Sequence, residues 1–460
     1  MKIKGINIIL GFVMFFVVLG LSVLAYAQYA GNPEGKIILW EAVAEPSEEF
    51  PTCHCSDIVE LVNGDILVTY YAGPGEAKPG EVNVLARRRL GAESFDPLQV
   101  IAETPGKPQG NGILFQTKDG TLLFIYVTLE GKLYGPSGPG VRWSTGSLQM
   151  KRSQDNGRTW SEPDVIDKHL GSTPRNNPIQ LENGDIIFGT EHWLVHSHPH
   201  FFISHDGGLT WEVTREIPGE ETEQPAIIQR SDGSLLAFLR PSGDIPKIFR
   251  SVSIDGGITW SPAENTEIDC PWSAVRLLRL SDNRVILAWN NHPSLRNNIT
   301  LAMSMDEGKT WPYVRELISG EGEFCYPALM EDRNGFVHLT FTNNYRTIDH
   351  VVFTPEWIMG EGAGLKPWDE ETKKRELLSE EESPVLQEIE NYHRVGWMVS
   401  PEEVKQAFLD KSFIGPIEEA GGAISYSFRD VALENNVVIS FVFLDNELFM
   451  VRIFFEEAKK

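Results

Sequence analysis

Apolar and polar positions along the chain form one pattern that occurs six times, at intervals of about fifty to sixty-five residues. Each copy has an apolar run, a turn of the Asn-Gly, Asp-Gly or Asp-Asn type, and a second apolar run. The copies begin at Cys53, Gln109, Arg175, Gln224, Ser273 and Tyr326. The pattern predicts six β-hairpins, because these turn residues tolerate the positive φ that tight turns require.

Two further strands complete each predicted unit. Runs such as "HFFISH" and "ITLAMSM" follow the hairpins, and short runs such as "YVRELI" close the units. Four antiparallel strands repeated six times predict an all-β fold, a six-bladed β-propeller over residues 36–357. The run "KIILWEAV" at 36–43 is placed to supply the outer strand of the last blade. A β-sandwich or solenoid is the alternative, which the period of about fifty residues disfavours.

A Ser-x-Asp-x-Gly-x-Thr-Trp octet occurs four times, beginning at Ser153, Ser204, Ser253 and Ser304. It follows the third strand of its copy and therefore predicts the turn between the third and fourth strands. The Asp can accept hydrogen bonds from its own turn, and the Gly gives a permissive backbone. The Trp can pack between neighbouring blades. We therefore interpret the octet as structural rather than catalytic.

The net charge disfavours one class of partner, and the N-terminal segment predicts where the protein is located. The chain has 460 residues and a net charge of −25, which disfavours nucleic acid as a partner because phosphate binding needs a basic surface. Residues 1–27 predict a secretory signal peptide, with a basic start, an apolar run and "AYA" before the cleavage site. An uncleaved anchor is the alternative, since the apolar run can span a bilayer. Both predict an exported protein, in the periplasm, the cell envelope or outside the cell.

The predicted topology assigns one rim of the propeller to chemistry. The starts of the inner strands, the ends of the second strands and the loops between strands two and three share the rim opposite the octets. The polar side chains predicted there include His54, Glu81, Arg175, His192, Glu223, Gln224, Arg240, Arg296 and Tyr326. Arginine pairs with carboxylates in a bidentate geometry, so this set favours an acidic sugar as the ligand.

The octets resemble the Asp-boxes of the sialidase (neuraminidase) superfamily, and the resemblance covers roughly residues 36–357. The chain is similar to a bacterial branch described as predicted neuraminidases. The superfamily uses a Tyr nucleophile activated by a Glu, an Asp as acid and base, and three arginines that bind the substrate carboxylate. The resemblance therefore implies a glycoside hydrolase of the exo-α-sialidase type, acting on a glycan with an acidic sugar, without an organic cofactor.

Individual positions carry the resemblance to the catalytic groups. Tyr326, in "FCYPAL", matches the nucleophile at the start of an inner strand. Glu223, in "ETEQPAI", is the nearest match to the activating Glu, although Gln224 can occupy that position instead. Glu81, in "PGEVNVLARRR", stands where the acid/base Asp is expected.

The predicted carboxylate clamp is incomplete. Arg240, in "LLAFLR", and Arg296, in "HPSLRNN", match two of the three arginines. The family opens its first blade with Arg-Ile-Pro, whereas this chain reads "TCHCSD", with His54 at or near that position. A third cation then requires a protonated His54 or the side chain of Arg175. This departure leaves open whether the acidic sugar is sialic acid.

The sequence is also compatible with two other functions. In a polysaccharide lyase acting on uronate-containing glycans, His54 would remove a proton, Tyr326 would protonate the leaving oxygen, and the arginines would stabilise the enolate-like charge. The other is a non-catalytic propeller that binds glycans. The presence of both Tyr326 and Glu81 argues against this alternative.

A histidine-rich segment, "EHWLVHSHPHFF", lies on the same predicted rim. It contains His192, His196, His198 and His200, whose imidazoles can bind zinc. We favour the alternative, a polar loop that enters an outer strand, with His192 contacting substrate. The sequence therefore predicts neither a metal nor a cofactor.

The C-terminal part of the chain has a different character. Residues 358–387 are charged and predict a linker, and residues 388–460 predict a small α+β module. Its helix begins at "SPEEVKQAFL" with a capping box, and three strand-like runs follow. The segment resembles small modules found in bacterial envelope assembly lipoproteins. This predicts docking to the cell envelope or a spacer role.

Overall fold

The computed structural model describes residues 35–131, 133–135, 138–140, 143–192 and 198–360, together with four C-terminal strands. The first strand is β1 (Ile37–Ala42). Blade one contains β2 (Thr52–Glu60), β3 (Ile66–Gly73), β4 (Val82–Arg88) and β5 (Gln99–Ala102). Blade two contains β6 (Gln109–Gln116), β7 (Leu122–Leu129), a small hairpin of β8 (Leu133–Gly135) and β9 (Gly138–Gly140), β10 (Gly146–Ser153) and β11 (Asp164–Leu170).

Blades three to six repeat the arrangement. Blade three contains β12 (Ser172–Pro174), β13 (Ile179–Gln180), β14 (Ile186–His192), β15 (His200–Ser204) and β16 (Glu212–Val213). Blade four contains β17 (Thr222–Gln229), β18 (Leu235–Pro241), β19 (Lys247–Ser253) and β20 (Glu264–Asp269). Blade five contains β21 (Arg276–Arg279), β22 (Val285–Trp289), β23 (Asn298–Ser304) and β24 (Tyr313–Ser319). Blade six contains β25 (Phe324–Glu331), β26 (Val337–Asn343) and β27 (Thr347–Phe353).

The first strand closes the ring, as the sequence predicted. β1 pairs antiparallel with β27, so that the fourth strand of blade six comes from the beginning of the propeller. The indole Nε1 of Trp40 donates a hydrogen bond to Asp349 Oδ2 at 2.9 Å across this pair. The six-bladed all-β architecture is therefore confirmed. Two short 3₁₀ helices lie at Trp143–Thr145 and Pro355–Met359, and the second buries Trp357 and Ile358 against the last two blades.

The octets form the turns between the third and fourth strands. In the fourth octet, Asp306 Oδ1 accepts hydrogen bonds from the backbone N–H of Thr310 at 2.8 Å and from Ser304 Oγ at 2.7 Å. The tryptophans pack where neighbouring blades meet, and the Trp260 ring stacks on Phe201 of the preceding blade with centroids 4.3 Å apart. Both contacts agree with a structural role for the octet.

Replacing Asp306 with Ala is expected to lower the free energy of unfolding by about 1–2 kcal/mol, because several hydrogen bonds within the turn are lost. Catalytic rates should stay unchanged, since the turn lies on the rim opposite Tyr326. Urea denaturation followed by fluorescence measures the effect. Lys309→Ala, at an exposed variable position of the same octet, is the control and should change stability by less than about 0.5 kcal/mol. Equal stability of the two variants would contradict the structural role.

The C-terminal strands form a separate antiparallel sheet. They are β28 (Ile414–Glu418), β29 (Ile424–Ala432), β30 (Asn435–Leu444) and β31 (Glu447–Phe455), which pair in chain order. The helix predicted from Ser400 lies outside the described residues, as do the predicted signal peptide at 1–27 and most of the predicted linker. Within the described part of the chain, no helix has the length and apolar character needed to cross a membrane.

Candidate active site at the mouth of the propeller

Irregular inner strands direct side chains into the mouth. In four blades the inner strand has a bulge, and a non-glycine residue in each bulge has a positive φ: Cys55 (61°), Asn111 (34°), Gln224 (48°) and Tyr326 (57°). Bonds between blades show that these side chains converge. Cys55 Sγ donates to Asn111 Oδ1 at 3.1 Å, and Gln224 Nε2 lies 3.5 Å from Tyr326 Oη. A positive φ costs a non-glycine residue about 1–3 kcal/mol, and such strain concentrates at functional sites.

Tyr326 lies at the centre of a cluster of cations. Its hydroxyl accepts a hydrogen bond from Arg240 Nη1 at 2.9 Å. The guanidinium carbons of Arg175 and Arg296 lie 5.1 Å and 5.7 Å from the centre of its ring. Burial raises the pKa of the Tyr326 phenol, and the positive charges of Arg240 and Arg296 oppose that rise. The arginines therefore offset part of the effect that burial has on the phenol.

Glu223 supports Arg240 and has no described contact with the phenol. Its Oε2 lies 3.4 Å from Arg240 Nε, and its Oε1 accepts a hydrogen bond from Ser242 Oγ at 2.7 Å. Although burial alone would lower it, the pKa of Arg240 is raised, because Tyr326 and Glu223 lie close by. Gln224, rather than Glu223, faces the Tyr326 hydroxyl. An amide cannot accept the phenol proton, so Gln224 cannot act as the predicted base.

Arg296 lies at the edge of the mouth, with polar partners that the sequence reasoning did not include. Its Nη2 donates to the backbone oxygen of Trp272 at 2.6 Å, and its Nη1 lies 3.3 Å from Glu323 Oε1. Glu323 Oε1 also accepts a hydrogen bond from Tyr345 Oη at 3.1 Å. Glu323 precedes an inner strand and Tyr345 follows a second strand, so the topological rule used for the other candidates covers both positions.

His54 and Arg175 do not complete a three-cation clamp. His54 is 2% exposed, its Nδ1 lies 2.9 Å from Thr342 Oγ1, and its ring centre lies 4.3 Å from that of Tyr326. Burial, reinforced by the nearby arginines, holds the pKa of His54 well below its usual value, so the imidazole is neutral. Arg175 is buried and donates to the backbone oxygens of Ser56 at 3.2 Å and Pro327 at 3.0 Å. These bonds join inner strands across the axis and use one N–H of each Nη group for backbone contacts.

Glu81 carries a proton at neutral pH. It is 2% exposed, and its Oε2 accepts a hydrogen bond from the backbone N–H of Ala77 at 3.0 Å. Burial is the main reason that the pKa of Glu81 rises to about 9, and the neighbouring Glu76 carboxylate adds to it. Burial is the main cause of the raised pKa of Tyr71, and Glu81 also contributes to it; the Tyr71 ring lies 5.4 Å from that of His54. A neutral carboxylic acid is therefore placed close to the aromatic cluster.

An aromatic side chain that the sequence reasoning missed lines the mouth near Glu81. The ring of Trp143 lies 6.1 Å from that of Tyr71, and its Nε1 donates to Glu76 Oε1 at 3.1 Å. A Cβ at Gly110 would come within 2.6 Å of the Trp143 ring, so only glycine allows this packing. Half-exposed aromatic rings of this kind stack on sugar faces.

The contacts of His192 are to its own blade. Its Nδ1 lies 3.4 Å from Glu216 Oε1, and its ring centre lies 4.9 Å from that of His200. The structure therefore brings together Tyr326, Arg240, Arg296, Gln224 and His54, with Glu223 and Arg175 as supporting side chains. His192 belongs to a different cluster on the same rim.

Comparisons with known proteins agree with this architecture. A model of the BNR repeat-like domain family matches residues 64–339. A sialidase from Micromonospora viridifaciens is 24% identical over 346 residues, which cover 68% of this chain and 53% of that protein. A sialidase from Bacteroides fragilis is 24% identical over 270 residues, covering 52% and 49%. This chain thus spans about half the length of these curated relatives.

Solved structures give the same picture of the fold. A Hadza microbial sialidase superimposes with a TM-score of 0.59 and 18% identity, covering 70% of this chain and 69% of that one. At this identity the likeness supports the propeller fold alone.

Proposed function

Because the chain belongs to the BNR repeat-like domain family, within the sialidase-like superfamily, we propose that it is a glycoside hydrolase that cleaves the bond next to an acidic sugar. The names of the curated relatives support this class. One observation carries the proposal. Arg240 donates to the hydroxyl of Tyr326 at 2.9 Å, and Arg296, 5.7 Å from the centre of the ring, adds a second positive charge that favours the phenolate.

In the proposed reaction, Tyr326 first loses its phenol proton to solvent water, and the resulting phenolate attacks the anomeric carbon of the sugar. The bond from that carbon to the leaving oxygen breaks, and the proton on Glu81 passes to the leaving oxygen. Water then attacks the glycosyl-tyrosine and returns a proton to Glu81, which releases the sugar and restores the phenol oxygen. Arg240 and Arg296 favour the phenolate and attract the carboxylate of the substrate.

A lyase is a second candidate, and the side chain of Gln224 favours it. A nucleophilic tyrosine needs a partner that accepts its proton, whereas the amide nitrogen of Gln224 lies at 3.5 Å from the hydroxyl. In β-elimination from a uronate, Tyr326 would instead remove the proton beside the carboxylate and pass it to the leaving oxygen as the bond to that oxygen breaks, while the arginines would stabilise the enolate-like charge. His54 is buried against the Tyr326 ring, so in this scheme it would act by positioning Tyr326.

One assay with two readouts tests the proposal. The purified chain is incubated with sialosides and with uronate polysaccharides, and both free sugar and the ultraviolet absorbance of unsaturated uronate are followed. We expect released acidic sugar without ultraviolet absorbance. Ultraviolet absorbance that disappears in Tyr326→Phe would establish the lyase instead. A chain that binds these glycans without changing either signal would be a binding propeller, and the proposed hydrolase would be wrong.

The protonation state of Glu81 gives the proposed activity a pH dependence. The proton donor is present below the folded pKa of about 9 and is lost as pH rises through that value, so kcat/KM should fall above about pH 9. Glu81→Gln should lower kcat/KM by about 10²–10⁴-fold and remove this limb of the profile. Initial rates between pH 5 and pH 10 give the pH profile of kcat/KM for the wild type and for Glu81→Gln. A wild-type profile that stays flat up to pH 10, or a variant that keeps the limb, would contradict the assignment.

A further inference from the structure

A second cluster of side chains, which can bind a metal ion, lies on blade three, on the same rim as Tyr326. His192 ends β14, His200 begins β15, and Glu216 follows β16. One donor atom from each of these three side chains lies within 4.8 Å of the others. The three residues lie 8 and 16 positions apart in the sequence and meet because antiparallel pairing brings the ends of the strands together. Neither the family nor the proposed reaction accounts for this cluster.

The spacing of the donor atoms is compatible with a shared metal ion. His192 Nδ1 and Glu216 Oε1 form a long hydrogen bond of 3.4 Å, at the upper end of the range for N–H···O contacts. Neighbouring ligand atoms of a tetrahedral zinc ion lie about 3.3 Å apart, because zinc binds nitrogen and oxygen at about 2.0–2.2 Å. Two imidazoles and a carboxylate are ligands that suit zinc among the common divalent ions.

A chain of hydrogen bonds orients the buried imidazole. Ser172 Oγ donates to Asp167 Oδ2 at 2.6 Å and lies 3.3 Å from His200 Nε2. Since the only hydroxyl proton of Ser172 goes to Asp167, His200 must donate from Nε2. This tautomer leaves the lone pair of His200 Nδ1 for an ion. Metal-binding histidines typically have such a partner on the second ring nitrogen, which fixes the tautomer and the orientation of the ring.

We propose that His192, His200 and Glu216 form a zinc site that joins the ends of three strands of blade three. Three protein ligands leave a fourth position for water. The histidine-rich sequence alone favoured a polar loop, because it did not include Glu216.

Equilibrium dialysis of the full chain against zinc, after treatment with a chelator, tests the site. Zinc per chain is measured by mass spectrometry of the metal. We expect about one zinc ion per chain, and we expect Glu216→Gln to weaken binding by at least about tenfold. Glu216 is exposed, so this variant should fold, and its circular dichroism and melting temperature without zinc check that it does. Zinc should raise the melting temperature of the wild type more than that of Glu216→Gln.

His205→Gln is the matched control. His205 lies on the same blade, is exposed, and contacts Asp185 and Glu212 rather than the cluster. It should bind zinc as tightly as the wild type. A wild type that binds no zinc would overturn the proposal, and so would a Glu216→Gln variant with unchanged affinity. Because the readout is binding, failure of this site leaves the proposed hydrolase untouched, and the converse also holds.

Discussion

Tyr326→Phe should lower kcat/KM by about 10³-fold or more, because it removes the oxygen that attacks the sugar in the proposed reaction. The substitution keeps the aromatic ring, so the contacts with His54 at 4.3 Å and with Arg175 at 5.1 Å remain. We therefore expect a folded protein whose substrate affinity changes little. Steady-state kinetics on the substrate identified in the assay, together with a binding measurement, separate the two effects.

Tyr126→Phe provides the matched control for Tyr326→Phe. Tyr126 is also buried and its hydroxyl is also hydrogen-bonded, donating to Gln149 Oε1 at 2.9 Å, but it lies on the second strand of blade two. The Tyr126→Phe variant should keep nearly full activity. If Tyr326→Phe kept more than about a tenth of the wild-type kcat/KM, the phenol oxygen would not be the nucleophile.

Arg240→Met should damage both catalysis and stability. Arg240 contacts the hydroxyl of Tyr326 and the buried carboxylate of Glu223, so its loss leaves two polar groups without their cation. Truncating one partner of a buried charge pair costs about 2–5 kcal/mol, which corresponds to about 30- to 5000-fold if it acts on kcat/KM. We expect a loss of stability of about 3 kcal/mol as well. Kinetics and urea denaturation measure the two effects separately.

A second substitution distinguishes the two effects of Arg240→Met. Adding Glu223→Gln removes the unpaired buried charge, so the double variant should regain much of the stability while its activity stays low. Arg250→Met is the control, because Arg250 lies on the neighbouring strand and pairs with Glu264 at 2.9 Å, outside the Tyr326 cluster. If the double variant recovered activity along with stability, Arg240 would have only a structural role.

The repeat pattern was sufficient to predict the fold, because its rules are local. The alternation of apolar residues and the turn residues identify hairpins, and the octet identifies the turn between strands three and four. Ring closure followed from one unpaired run, residues 36–43, whose pairing with β27 is now confirmed. Each of these features depends on residues that lie close together in the sequence.

The detailed geometry of the site depends on irregularities that the sequence pattern does not reveal. Strict alternation on a strand does not show whether Glu223 or Gln224 faces the axis. The bulge between Glu223 and Ala226, with a positive φ at Gln224, decides that question. The charge of His54 likewise depends on burial and on three arginines from distant parts of the chain. These are tertiary effects, so the sequence could give the residue types at the mouth without giving their roles.

The most direct test of Tyr326 as the nucleophile is to look for the glycosyl-tyrosine intermediate itself. The chain is mixed with a substrate that it cleaves, quenched in acid during turnover, digested, and analysed by mass spectrometry. The peptide containing Tyr326 should be heavier by one acidic sugar residue, and no such adduct should form in Tyr326→Phe. Turnover without any adduct on Tyr326, accompanied by an unsaturated uronate product, would contradict the proposed hydrolase mechanism and identify the chain as a lyase.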